Sequence, residues 1–172
     1  MASRFRCIVT AKKADGTSFV SEDRQVSLSP LEIYDFWATD EIPASSQGEN
    51  TLLNKPTTLE PSKAGTIFRF FEIPPIDRNS SPENAEVQAQ EAFAAANALH
   101  CRVNTYRHPM MHTTNTIDYV VVLKGEVTLL LDQGEIKLKP FDAVVQRATN
   151  HYWLNETSEP VLMMGVLLAA KD

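Results

Sequence analysis

Between residues 102 and 169 the chain reads as a succession of short apolar runs with turn residues between them. Residues 102–108, 119–124, 126–131, 136–139, 143–147, 152–154 and 161–169 each read as a strand, and several are rich in Val, Leu and Ile. β-Branched side chains pack well on a pleated surface and lose rotamer freedom in a helix. Gly125 and Asp132-Gln133-Gly134 supply turns between neighbouring runs. Short strands at regular spacing predict a sandwich or a barrel. Residues 119–124 are nearly all apolar, as a strand covered on both faces would be. No internal repeat or low-complexity segment interrupts the pattern.

The first half is more varied. Residues 6–20 predict two short strands around Asp15-Gly16, a hairpin dipeptide suited to positive φ at both central positions. Residues 31–37, with Leu31, Ile33, Phe36 and Trp37, predict another strand. Residues 39–63 hold few apolar side chains and carry Pro43, Pro56 and Pro61, which predicts a long surface loop. Residues 64–73 form a clear β-branched and aromatic strand that Pro74-Pro75 stops. Residues 81–99 predict the one helix. Ser81 is the N-cap, Pro82 fits the first turn, and Glu83 and Glu86 complement the helix dipole. Ala85, Ala89, Ala92, Phe93, Ala96 and Leu99 fall on one stripe. That stripe suits a helix laid on the outside of the sheets, a lid over a site, or an oligomer contact.

A chain of 172 residues suits a single domain with a full hydrophobic core. A net charge of -6, with Lys and Arg dispersed among acids, argues against nucleic acid, whose phosphates call for clustered cations. No run approaches the roughly 20 apolar residues that span a bilayer. The first residues lack an apolar signal core, so a cytoplasmic protein is expected. Cys7 and Cys101 fit no metal spacing and no disulfide framework, and read as buried or half-buried thiols. The triplets at Asn79 and Asn155 match glycosylation acceptors by chance in such a setting.

There are four histidines: His100, His108, His112 and His151. His112, Thr114 and Asp118 are separated by even steps, which in extended chain point side chains to one face. His151 follows a strand and leads into Trp153 and Asn155. Two imidazoles and a carboxylate on one face suit iron, manganese, nickel or zinc, with positions left for substrate. The same residues without a metal suit proton transfer, because burial and neighbouring charges tune their pKa values. Arg147 would either hold an anionic or enolate oxygen in the mouth, or pair at a strand end with an acid such as Asp142. Trp153 would wall a flat substrate or serve the core, and the same choice holds for Phe68, Phe70 and Met110. His108 lies four residues before His112, and Pro109 between them disturbs the strand. Tyr119 is expected to face away from Asp118, toward a partner sheet or subunit.

The stretch from His112 through Asp118 to Gly125 resembles the first cupin motif, which carries two histidines, an acid and a glycine. Pro140-Phe141-Asp142, then His151 and Asn155, resembles the second. Three positions depart from the family. Thr114 stands for its second histidine, Asp118 for its usual Glu, and Phe141 for a common Gly. Residues 112–126 and 144–151 are similar to the patterns of a subgroup of small cupins, as is Phe36-Trp37-Ala38-Thr39-Asp40. The resemblance implies an all-β fold: one cupin (jelly-roll) β-barrel with one added α-helix near residues 81–99. It divides residues 1–172 into N-terminal strands and loop (1–77), a helical insertion (78–100) and the barrel motifs (100–170). N-terminal strands that pair across a homodimer would hide the barrel edges.

The resemblance also implies a range of functions, from dioxygenases and isomerases to cyclases, dehydratases and sugar-binding modules. Within that range we expect a tailoring enzyme of secondary metabolism, a lyase or cyclase acting on an aromatic or polyketide-derived small molecule. His112, Asp118 and His151 would be its proton-handling residues, with His108 and Arg147 assisting. Trp153, Phe68, Phe70, Met110 and Thr114 would contact substrate. The alternatives are a metal-dependent dioxygenase or isomerase using His112, Asp118 and His151 as ligands, and a non-catalytic ligand-binding cupin. A divalent metal is thus a possible cofactor, and His108 the candidate to stand in for the missing ligand.

Overall fold

The structure is a computed structural model that describes residues 5–29, 31–52 and 55–171. Among the described residues, ten strands form three sheets, accompanied by one α-helix. β1 (Phe5–Lys12) and β2 (Ser18–Val26) make a hairpin. β3 (Ile33–Thr39), β4 (Thr66–Ile73), β10 (Val161–Ala169), β5 (Thr116–Lys124) and β8 (Ala143–Arg147) make a five-stranded sheet in the order β3-β4-β10-β5-β8. β7 (Glu135–Leu138), β6 (Val127–Leu131) and β9 (His151–Leu154) make the third, in the order β7-β6-β9. The sheets remain separate and are not joined into a closed barrel. The helix α1 runs over Pro82–Ala95.

The main core lies between the two larger sheets. Val120 and Val122 of β5 and Val161 and Met163 of β10 meet Val127 and Leu129 of β6 and Trp153 of β9. β5 alternates rather than running apolar on both faces: Thr116, Asp118, Val120 and Val122 are buried, while Tyr119 stands on the outer face, about half exposed. A second cluster covers the outer face of β3 and β4. There the hairpin lays Phe5, Cys7 and Val26 against Tyr34, Phe36, Phe68 and Phe70. The rings meet edge-on, with centroids 4.7 Å apart for Phe5 and Tyr34 and 5.1 Å for Phe5 and Phe70.

Of the predicted Asp15-Gly16 pair, only Gly16 takes positive φ (85°). Asp15 instead accepts the Thr17 backbone N–H with its side chain, at 2.8 Å. The helix begins where expected: Ser81 Oγ accepts the Asn84 N–H. It ends earlier, because Asn97 adopts φ 53° and lets Ala98 N–H reach Phe93 O and Asn97 N–H reach Ala94 O. This Schellman closure ties off the last turn. Leu99 is therefore off the stripe and exposed, in the short 3-10 turn Leu99–Cys101.

The strand expected at residues 102–108 does not form. Arg102 donates to Pro109 O and Glu86, and Asn104 to Asp132; Arg107 donates to Leu131 O, Gly134 O and Glu135. Side-chain bonds thus take the place of a ladder, and the apolar members of the run, Val103 and Tyr106, are exposed. Beyond Thr39, which closes β3, the expected loop is free of strands and helices among its described residues through 63. It closes on β4 through Gly65, whose carbonyl accepts the Ala169 N–H at 3.0 Å. A Cβ at Gly65 would collide with the Thr39 carbonyl oxygen and Ser62 Oγ. Gly65→Ala is expected to lower unfolding free energy by about 1–3 kcal/mol, read from urea denaturation.

Candidate active site

Between the two larger sheets, under α1, lies a cavity of about 690 Å³. The five-stranded sheet contributes Arg69, Phe71 and Asp118; β9 contributes His151 and Trp153; the helix contributes Ala92 and Phe93, and its C-cap Ala96. The helix is thus a wall of the cavity. Phe93 sits with its ring centroid 5.2 Å from that of His112.

His112 and His151 come together through the backbone. Each donates its N–H to the other's carbonyl, at 3.0 and 2.9 Å. Residues paired this way across an antiparallel bridge present side chains to the same face. The imidazole centroids are accordingly 4.4 Å apart. His112 Nδ1–H donates to Met110 O at 3.0 Å, and His151 Nδ1–H donates to Thr149 O at 2.9 Å. A carbonyl can only accept, so each ring carries its proton on Nδ1 and keeps its lone pair on Nε2. Burial holds both rings neutral. His151 is pushed down to about 3 by burial and then by His112, and His112 is lowered by burial.

Asp118 is buried on β5, opposite Gln146 of β8. Burial pushes its carboxyl up to about 6, against the Thr116 hydroxyl and the Arg69 charge. Its Oδ1 is buried without a hydrogen-bond partner. A buried polar atom left unpaired is costly. Thr114, at the position of the family's second histidine, turns its hydroxyl to Thr116 Oγ1 at 2.7 Å.

The remaining expected residues divide. Met110 and Trp153 line the cavity, and Trp153 also belongs to the core. His108 lines it too, stacked on Tyr152 with centroids 4.0 Å apart. His108 Nδ1 accepts the Met110 N–H, so a neutral His108 presents Nε2–H, a donor rather than a ligand lone pair. Phe68 and Phe70 do not reach the cavity: strand parity turns them to the outer aromatic cluster and turns Ile67, Arg69 and Phe71 inward. Arg147 is exposed and outside the cavity, because Gln146 takes the inward position on β8.

Sequence reasoning passed over Arg69. Its side chain is 3% exposed and donates to Asp35 at 2.9 Å, Thr58 O at 2.8 Å and Leu59 O at 3.2 Å. The signal was there: a lone cation inside the aromatic run Phe68-Arg69-Phe70-Phe71 needs a buried partner.

Two neutral imidazoles with free Nε2 lone pairs, each anchored at Nδ1, fit half of a metal centre. The carboxylate does not complete it. Among the described residues the ligand atoms of His112, Asp118 and His151 do not gather within 4.8 Å of one another, and the Thr114 hydroxyl is engaged elsewhere. In this geometry the three residues do not form a three-ligand cage.

The β-rich fold, with its inward histidine pair and motif residues, is similar to that of cupin proteins. No family model matches the chain. It is 55% identical over 49 residues to phomopsin biosynthesis cluster protein D of Diaporthe leptostromiformis, a match spanning 28% of this chain and 26% of that one. It is 41% identical over 66 residues to a cupin-domain-containing oxidoreductase of Neurospora crassa, spanning 36% of this chain and 34% of that one. These matches thus span about a quarter to a third of the curated relatives. Among solved structures, the Cupin_2 domain of an XRE-family transcriptional regulator from Enterobacter cloacae is 18% identical with a TM-score of 0.38, over 62% of this chain and 83% of that one. Among the described residues no helix is long and apolar enough to cross a membrane.

Proposed function

We propose that this protein is a small-molecule tailoring enzyme of secondary metabolism that works by acid–base chemistry, removing water from, or closing a ring in, an aromatic or polyketide-derived substrate. The observation that carries the reading is Asp118: a buried carboxyl tuned to about 6, with an unpartnered oxygen beside an apolar cavity. A base is most effective when its pKa lies near the working pH. The likeness to proteins of the phomopsin and oryzine biosynthesis clusters supports the setting.

In the dehydration form, the Asp118 carboxylate takes a proton from the carbon beside a carbonyl. The electron pair moves onto the carbonyl oxygen, where the Arg69 charge is favourable. The pair then returns to expel a β-hydroxyl, which leaves as water with the proton that Asp118 gives back. His112 and His151, held neutral, accept hydrogen bonds from substrate hydroxyls through Nε2 and fix its orientation.

A second reading, a metal-dependent oxygenase, draws on the two Nδ1-anchored imidazoles and on relatives called oxidoreductases. One experiment separates the readings. A panel of aromatic and polyketide-derived β-hydroxy carbonyl compounds is incubated with the protein, with and without EDTA and oxygen, and products are read by mass spectrometry. Loss of water that survives both treatments is expected. The kcat/KM profile should fall on the acid side with a midpoint near 6, because the base works only when ionised. Oxygen-dependent, chelator-sensitive turnover would replace this reading with the second. Ligand binding without turnover of any kind would leave a binding module.

A further inference from the structure

We propose that Glu60, His100 and Cys101 form a divalent-cation site of zinc type, separate from the cavity histidines. The three side chains converge on one point. His100 Nε2 lies 2.8 Å from Glu60 Oε2 and 3.5 Å from Cys101 Sγ, and all three ligand atoms lie within 4.8 Å of one another. Ligands about 2.0–2.3 Å from a tetrahedral zinc ion stand about 3.3–3.8 Å apart, so an opening of a few tenths of an ångström admits the ion. One carboxylate, one imidazole and one thiolate are a donor set that zinc prefers over magnesium or calcium.

The site is built rather than incidental. Glu60 is oriented by its second oxygen, which accepts the Asn115 N–H at 2.9 Å. Such outer contacts are what hold metal ligands in place. His100 and Cys101 are fixed by the 3-10 turn, and the Cys101 carbonyl accepts the Thr113 N–H at 2.8 Å. The His100 side chain is 66% exposed and gives the ion a path in, while Cys101 is buried.

A nucleophilic cysteine is the competing use of the same three residues. It requires the imidazole to touch thiol and acid through different nitrogens, and here Nε2 meets both. Burial and the Glu60 charge also push the free thiol up to about 12. Binding of Zn²⁺ converts the Cys101 thiol to a zinc thiolate and releases one proton, with the imidazole proton resting on Nδ1. The ion would brace the loop carrying Glu60 to the segment leading into β5.

The test uses the full chain with His112→Ala and His151→Ala, which removes the cavity imidazoles. Cobalt(II) is titrated as a spectroscopic stand-in, followed by displacement with zinc. We expect a near-ultraviolet sulfur-to-cobalt band that zinc abolishes, one proton released per ion, and a rise in Tm with zinc. His100→Ala, at a position whose side chain is 66% exposed, should weaken binding more than about tenfold. Cys101→Ser should remove the band, while Cys7→Ser should keep it. Absence of the band in the cavity-histidine background, or its survival in Cys101→Ser, overturns the site.

Discussion

Asp118→Asn is expected to reduce turnover by about 100- to 10,000-fold while leaving ligand affinity within a small factor. Asparagine keeps the shape of the side chain and cannot take up a proton. The same variant carries its own control. Burial raises the folded carboxyl to about 6 from an ordinary 3.8. Between these values the native state holds more protons than the unfolded chain, so Asp118 makes stability fall as pH rises through that window. Removing the charge should therefore leave stability at pH 8 unchanged or higher, as guanidinium denaturation would read. An inactive variant that is also markedly destabilised would mean that Asp118 is a structural group, and the base would have to be sought elsewhere in the cavity.

Arg69→Ala is expected to be the most damaging single change to stability, costing about 3–5 kcal/mol. It would leave Asp35, 13% exposed, without its cation, and would strand the Thr58 and Leu59 carbonyls that Arg69 now satisfies. The cost comes from an uncompensated charge more than from the lost attraction. The double variant Arg69→Met with Asp35→Leu should therefore recover much of it, and a double-mutant cycle on Tm and denaturation midpoint measures the coupling. Arg69→Met alone should also move the acid limb of any rate profile upward, because Asp118 loses the positive neighbour that favours its ionised form.

The chain declares its strands well where period and turn residues agree. Residues 143–147 and 161–169 appear as β8 and β10 within those limits, and Gly125 marks the turn between β5 and β6. The run at 102–108 misled because Val103 and Tyr106 resemble strand residues, while the polar residues between them carry the actual bonds. In the site, the pairing of His112 with His151 lies beyond any spacing rule, since a single backbone bridge between distant segments creates it. Parity decided the rest. One step along β4 exchanges Phe68 and Phe70 for Arg69 and Phe71, and one step along β8 exchanges Arg147 for Gln146. Strand limits drawn from composition do not carry that phase. It is set by which face the hairpin and the opposing sheet cover.

The helix that roofs the cavity does so with small residues: Ala85, Ala92 and Ala96 sit beside Phe93. Much of the room above the two imidazoles is thus made of methylene groups that those alanines lack. The opposite walls have no such freedom, because Trp153 and Val120 are shared with the core between the sheets. Phe93 and Ala96 also pack in a core of their own with Ala98 and Cys101, so it is changes of bulk at Ala85 and Ala92 that would subtract space from the ligand and little else. A Schellman cap and an N-cap serine hold its two ends independently of what faces inward. The dimensions of what fits can therefore drift, residue by residue, while His112, Asp118 and His151 stay where the backbone holds them.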